Sequence, residues 1–308
     1  MWVLSTSRAE LHFFPSPEEV PDGYATLSHV WDKKEQSFQD VRKIQETCAK
    51  DGTNPRDFVC EKIKRSCMLA ESRKFKWIWI DTCCIDKTSS ADLSEAINSM
   101  FRYYSISEIC LGYLRDVVSR PLDSTNPYLD TRSVWFTRGW TLQELIAPRF
   151  FLFVSQTWEV LGSRDDFALL LDSSLGIPAA VLQLKATHTE YSIAQRMSWF
   201  GGRRTTRVED EAYCLLGIFD IYMPPLYGEG KNAFRRLQEE IMKQSPDTTL
   251  FSWAGGWKSD DVHSCLLAPT PSAFNMPYRI SYMPGGYSQP RTDGHDRVCS
   301  CSTHLFAS

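Results

Sequence analysis

Lys76-Trp77-Ile78-Trp79-Ile80-Asp81 carries four consecutive large apolar side chains and ends on a carboxylate. A short apolar run without alternation reads as a strand buried on both faces, the pattern of a parallel sheet covered by helices. Working outward, Tyr24 to Ser28, Glu108 to Leu114 and Arg149 to Val154 are runs of the same kind. Between them lie stretches with helical spacing. Val59, Ile63, Cys67 and Ala70 recur at intervals of 4, 4 and 3 after Pro55 and a cap at Asp57. Leu93, Ile97, Met100, Phe101 and Tyr104 share one face behind a capping box at Ser89 and Asp92. Ser133 to Ile146 reads as a third helix, broken near Gly139 and stopped by Pro148. The order β-α-β-α-β-α-β predicts an α/β domain, an open parallel sheet with helices on both faces.

After Gly162 the strand signal fades. Phe167 to Leu171, Ser192 to Phe200, Glu209 to Phe219 and Lys231 to Gln244 are the helix candidates, the last with Phe234, Leu237 and Ile241 on one face. The expected division is an α/β domain at 1–162, a helical annex at 163–255 and an irregular C-terminal segment at 256–308, where Gly, Pro and Ser accumulate.

Composition narrows the function classes. With 43 % hydrophobic residues and 10 Trp among 308 residues, the chain holds ample apolar area for a core. A net charge of −4 argues against a dedicated nucleic-acid binder. No apolar run approaches the roughly 20 residues of a membrane span, and the N-terminus does not read as a signal peptide. Ten cysteines, several inside periodic apolar segments, read as buried reduced thiols, so a cytoplasmic location is expected.

Open α/β sheets bind ligands beyond the carboxyl ends of their strands, near the point where strand order reverses. That rule selects Ser28, His29 and Trp31 after the first strand, then Asp81, Cys83, Cys84 and Asp86 after the second, and Arg115 and Asp116 after the third. The third helix adds Arg138, Trp140 and Glu144. Histidine, carboxylates and aromatic rings on one rim suit a polar ligand with a flat ring. Plainer readings stand beside these. Asp81 suits a turn, His29 suits a hydrogen-bonded rim position, and Thr141-Leu142-Gln143-Glu144 fits a capping box that would occupy Glu144. No metal site is expected: His295, Cys299, Cys301 and His304 match no common zinc spacing. Gly228-Glu229-Gly230-Lys231 lacks the spacing of a phosphate loop. The basic run at 201–207, followed by Glu209, Asp210 and Glu211, reads as a solvated or mutually paired loop.

Several motifs together resemble one family. YATLSHVW at 24–31, WIWIDTCCIDK at 77–87, AINSMFRYY at 96–104 and WFTRGWTLQELIAP at 135–148 resemble the fungal heterokaryon-incompatibility (HET) domain. RMSWFGGRRTTRVEDEAYCLLGIFDI at 196–221 and MPPLYGEGKNAFRRLQEEIMKQS at 223–245 are similar to the helical segment that follows it in larger members, so the resemblance covers about 24 to 255. Asp32 stands where the family often has Gly, and Asp86-Lys87 where Asn-Gln is common. The resemblance implies a cell-death effector, triggered when genetically different fungal cells fuse, with a fold distantly similar to Toll/interleukin-receptor (TIR) domains and hence flavodoxin-like.

Many TIR domains hydrolyse NAD at the nicotinamide-ribose bond with a glutamate on the helix after the third strand, in a W-x-x-x-E pattern in plant members. Trp140-Thr141-Leu142-Gln143-Glu144 reproduces that spacing. The resemblance thus implies Glu144 as the catalytic carboxylate, with Ser28, His29, Trp31, Asp81, Cys83, Asp116, Arg138 and Trp140 around the substrate. NAD would be a substrate, with no resident cofactor. Self-association and an incompatibility partner protein are implied as well. Two other readings remain open, an interaction module without turnover and a nucleotide sensor.

Overall fold

The computed structural model describes residues 1–119, 129–253 and 266–275. Its strands and helices are β1 (Trp2–Ser5), β2 (Leu11–Phe13), β3 (Ala25–His29), α1 (Phe38–Asp51), α2 (Glu61–Ser72), β4 (Trp77–Ile80), α3 (Ser90–Ile106), β5 (Ile109–Tyr113), α4 (Thr141–Ile146), β6 (Phe151–Val154), β7 (Val160–Ser163), α5 (Ala168–Leu175), α6 (Ala179–Leu182), α7 (Ile193–Ser198), α8 (Asp210–Tyr213), α9 (Leu216–Phe219) and α10 (Asn232–Gln244). One seven-stranded sheet runs β2-β1-β4-β3-β5-β6-β7.

Its four central strands are parallel and fall on the four apolar runs read from the sequence. Taken alone in chain order they lie 2-1-3-4, the arrangement of flavodoxin-type doubly wound sheets, so the order reverses beside β3. All five β3 side chains are buried, which requires cover on both faces of the sheet. The sequence reading missed the antiparallel flanks. β1 pairs with β2 and β4 on one side and β7 pairs with β6 on the other. These strands have only three or four residues each, too few to establish an alternation.

The first crossover also differs from expectation, because it contains α1. Ser37 and Asp40 close a capping box at its start and Gly52, at φ 68°, ends it. Only Phe38, Val41 and Cys48 are buried along its 14 residues, so its apolar stripe is thin. Asp57 is no helix cap: Pro55–Asp57 is a 3-10 turn capped by Asn54, and α2 begins after Cys60. The third expected helix divides, as read, into a 3-10 turn at Val134–Thr137 and the six-residue α4. Gly139 lies at the break, where a Cβ would sit 2.6 Å from Thr205 Cγ2. The expected helix at 209–219 is likewise two short ones, α8 and α9.

The annex packs onto the α/β layer at several points. α9 lies on α3, and the buried Arg164 guanidinium donates to the carbonyls of Leu145 and Arg149, satisfying orphan acceptors at the end of α4. Among the described residues no helix is long and apolar enough to cross a membrane. His295, Cys299, Cys301 and His304 lie outside the described residues.

Candidate active site

β3 ends at the reversal point, and its last residues set the geometry. Ser28 lies opposite Gly112 and His29 opposite Tyr113 in the β5 register. Gly112 leaves room for the Phe151 ring, which in turn contacts Trp135. The Trp135 indole Nε1 donates to Ser28 Oγ at 2.9 Å, and Ser28 Oγ donates to Glu144 Oε2. A strand residue and a helix residue 116 positions apart thus meet in one buried hydrogen bond.

Glu144 is not used as a cap. Trp140, in helical conformation, occupies the position before α4, and the Leu142 N–H already bonds to the Gly139 carbonyl. The Thr141 hydroxyl is directed at the carbonyls of Trp135 and Arg138, 2.8 Å from each. The preceding turn runs almost continuously into α4, so the helix start needs no carboxylate. With only 3 % of its surface exposed, Glu144 has its pKa pushed up to about 8, chiefly by burial and next by the Asp81 charge. Ser28, Arg203 and Arg138 oppose that rise.

Beside it, Trp31 Nε1 donates to Asp81 Oδ2 at 2.8 Å, and the Lys87 ammonium sits 3.9 Å above the Trp31 ring. Trp31 is the exposed member, at 46 %. Asp81 Oδ1 and both ring nitrogens of His29 are buried without partners. The 3.8 Å separation of His29 Nδ1 from Asp81 Oδ1 is too long for a hydrogen bond. Nor is it an ion pair at neutral pH, because burial, helped by Lys62 and Lys87, holds the imidazole neutral. Burial also raises the Asp81 carboxyl, against the pull of Lys87 and the Trp31 indole.

Other selected residues stand apart from this group. Asp116 accepts from the Ser133 hydroxyl and the Val134 N–H, fastening the turn before α4. Cys83 is fully buried, with its thiol turned back toward the Ile80 carbonyl. Trp140 lies near Asp210 in the annex and favours its ionised form. Arg138, half-buried, donates to Thr206. Of the two departures from the family pattern, Lys87 covers the rim, while Asp32 pairs with Lys62 and Arg115, each at 2.6 Å.

Three residues were not selected from the sequence. Trp135 sits in the quoted motif, but its hydrogen bond crosses 107 positions. Tyr104 donates to the Leu27 carbonyl and its phenol feels the Glu144 charge. Arg203 lies in the run read as solvated or mutually paired, yet it is only 4 % exposed and donates to Thr141 Oγ and the Arg138 carbonyl. A cavity of about 160 Å³ lies elsewhere, between Trp2, Phe13, Trp79 and Tyr103, and none of Ser28, His29 or Glu144 lines it.

Around this parallel sheet and its reversal point the chain carries a heterokaryon-incompatibility domain, as its similarity to known proteins shows. The family described as Heterokaryon incompatibility protein (HET) matches residues 24–125, and a domain of unknown function (DUF8212) matches 232–283. The chain is 41 % identical over 237 residues to Vegetative incompatibility protein HET-E-1 of Podospora anserina. That match covers 73 % of this chain and 17 % of the relative's length. No solved structure matches significantly.

Proposed function

We propose that this chain is a cytoplasmic cell-death effector of the heterokaryon-incompatibility type, and that its Glu144 site hydrolyses NAD at the nicotinamide-ribose bond. The incompatibility role is supported by the HET match and by the relative's name. Among the described residues seven cysteines are free, six of them buried, which agrees with a reducing compartment. The observation that carries the chemical reading is the buried, proton-holding Glu144 at the sheet reversal, close to Asp81, which keeps a buried oxygen unpartnered. Buried polar atoms without partners and a displaced carboxyl pKa in one place mark a ligand site rather than a fold-stabilising one.

The reaction asks little of an acid. When the C1′–N bond breaks, its electron pair goes to the pyridinium nitrogen and nicotinamide leaves neutral. Water then bonds to C1′ and gives up a proton. The ribose becomes oxocarbenium-like in between, so the group needed is a nearby negative charge that also accepts a proton. Glu144 supplies both in its ionised form, which half of the molecules hold near pH 8. In this reading the ribose hydroxyls displace Ser28 from the carboxylate, Asp81 orients ribose or water through its free oxygen, and the Trp31 ring swings to stack on nicotinamide. The TIR-like spacing from Trp140 to Glu144 points to the same residue.

The test is to incubate the purified chain with NAD and follow free nicotinamide across a dilution series. Release is expected, with turnover per molecule rising with protein concentration because self-association is part of the reading. No release at any concentration overturns the hydrolysis; constant turnover per molecule overturns only the self-association.

A further inference from the structure

The annex reaches the helix that carries the same carboxyl. Residues 203–205 run against the segment before α4: the Arg204 N–H donates to the Thr137 carbonyl at 2.7 Å, and the Gly139 N–H donates to the Arg204 carbonyl at 3.0 Å. This pairing delivers Arg203 into the core, where its Nη1 lies 2.7 Å from Thr141 Oγ and 3.0 Å from the Arg138 carbonyl. Thr141 is one helical turn ahead of Glu144 on α4, so holding its side chain fixes the rotation of that short helix. A second route closes the loop. The Thr141 hydroxyl is bonded to the Trp135 carbonyl, the Trp135 indole to Ser28, and Ser28 to Glu144.

We propose that Arg203 is a positioning residue for Glu144, so that the annex is a working part of the site and its seating on the α/β domain sets the state of the carboxyl. The proposal rests on the Glu144 reading for its turnover arm only. A buried guanidinium with its second amino group unpartnered is costly to keep, and replacing it by a well-packed apolar side chain would cost little if it only filled space. Burial lowers the Arg203 pKa to about 10, which still leaves it charged at neutral pH. Its charge and that of Arg138 favour the ionised carboxylate, against burial and Asp81; Tyr104 from α3 and Cys110 from β5 also face the group and stay protonated.

The test compares wild type with Arg203→Met, Arg203→Lys and Thr141→Val. Glu144 ionisation is followed by a carboxyl infrared band, assigned by its absence in Glu144→Gln, and turnover by nicotinamide release. Arg203→Met is expected to raise the ionisation midpoint by about one pH unit, tenfold in acidity, with Lys restoring most of it. Thr141→Val should shift it the same way by less, and kcat should fall with KM nearly constant. Midpoints equal to wild type in folded Arg203→Met overturn the proposal. If Arg203→Met does not fold, an unchanged midpoint in Thr141→Val, which keeps the side-chain shape, overturns it. A shifted midpoint with unaltered NAD turnover in Glu144→Gln rejects the hydrolysis reading and leaves the positioning role standing.

Discussion

Two clusters of buried carboxyls invite comparison, one at the sheet reversal and one inside the annex. In the annex, Glu209 accepts from the N–H groups of Gly228 and Gly230 at 2.8 and 3.1 Å, both glycines having positive φ. Those N–H groups, Gly228 first, hold its carboxyl below the usual range. Asp210 accepts from the Tyr227 hydroxyl, and Glu229 accepts from Tyr213 and Arg236. None of these carboxylates leaves a buried oxygen unpartnered. At the reversal, Glu144 has one hydroxyl donor and a raised pKa, and Asp81 keeps one buried oxygen free. Exposed area does not separate the two clusters, and burial raises the carboxyl of Asp210 in the annex as it does those of Glu144 and Asp81. Hydrogen bonding does separate them: the annex carboxylates are taken up in holding their own loop, whereas at the rim Asp81 keeps one buried oxygen free.

The largest effect that sharpens this contrast is expected from Trp135→Ala. Losing a fully buried indole packed on Phe136, Phe151 and Phe153, and the donor to Ser28, should destabilise the protein by about 4 kcal/mol in denaturant titrations. A cost under about 1 kcal/mol would mean that the Ser28 end of the network does not depend on it.

Next in size is a pH effect. Below about pH 4.5 Glu144 is protonated whether the chain is folded or not, so its burial then carries no ionisation cost. Between about 4.5 and 8 the unfolded chain releases this proton while the folded one keeps it, so stability falls as pH rises and the full cost is present above 8. Glu144→Gln removes the titration. Its stability relative to wild type should therefore increase by about 4 kcal/mol from pH 5 to pH 8.5, at 1.36 kcal/mol per unit. A pH-independent difference would break the contrast with the annex.

Glu209→Gln should act in the opposite sense. It weakens two charge-assisted bonds and lowers stability by about 1 to 2 kcal/mol near neutral pH, while nicotinamide release stays within about twofold of wild type. A large loss of turnover without loss of fold would erase the functional distinction between the clusters. The smallest change is expected from Lys87→Gln, about 1 kcal/mol, since it removes a contact over a half-exposed indole and one hydrogen bond to the Thr82 carbonyl. Asp81 should then titrate at higher pH, because the nearest cation is gone. A downward shift would place Lys87 elsewhere.

What the sequence revealed follows the range of the forces involved. The four central strands were legible because burial on both faces leaves uninterrupted apolar runs, as at Trp77 to Ile80. The short flanking strands and the thin stripe of α1 carried too few apolar positions to register. Ser28, Trp31 and Asp81 followed from the rule for open sheets; Trp31 bonds Asp81, while the buried Ser28 bonds Glu144 and Trp135. The hydrogen bonds around Glu144 were not legible, since Ser28 reaches it, Trp135 reaches Ser28 and Arg203 reaches Thr141 across the fold rather than along the chain. Similarly, Gly228 to Lys231 could be excluded as a phosphate loop, but only the folded chain shows its N–H groups wrapped around Glu209.

The central claim is that Glu144 works through its charge, and nicotinamide release from NAD by Glu144→Gln against wild type, at pH 8 and at matched protein concentration, tests it most directly. Glutamine keeps the volume and an acceptor for Ser28, so the fold should be retained by circular dichroism and thermal melting. Turnover should fall by roughly 10² or more, the scale of losing one preorganised electrostatic partner. Wild-type turnover in a folded Glu144→Gln protein would contradict the account.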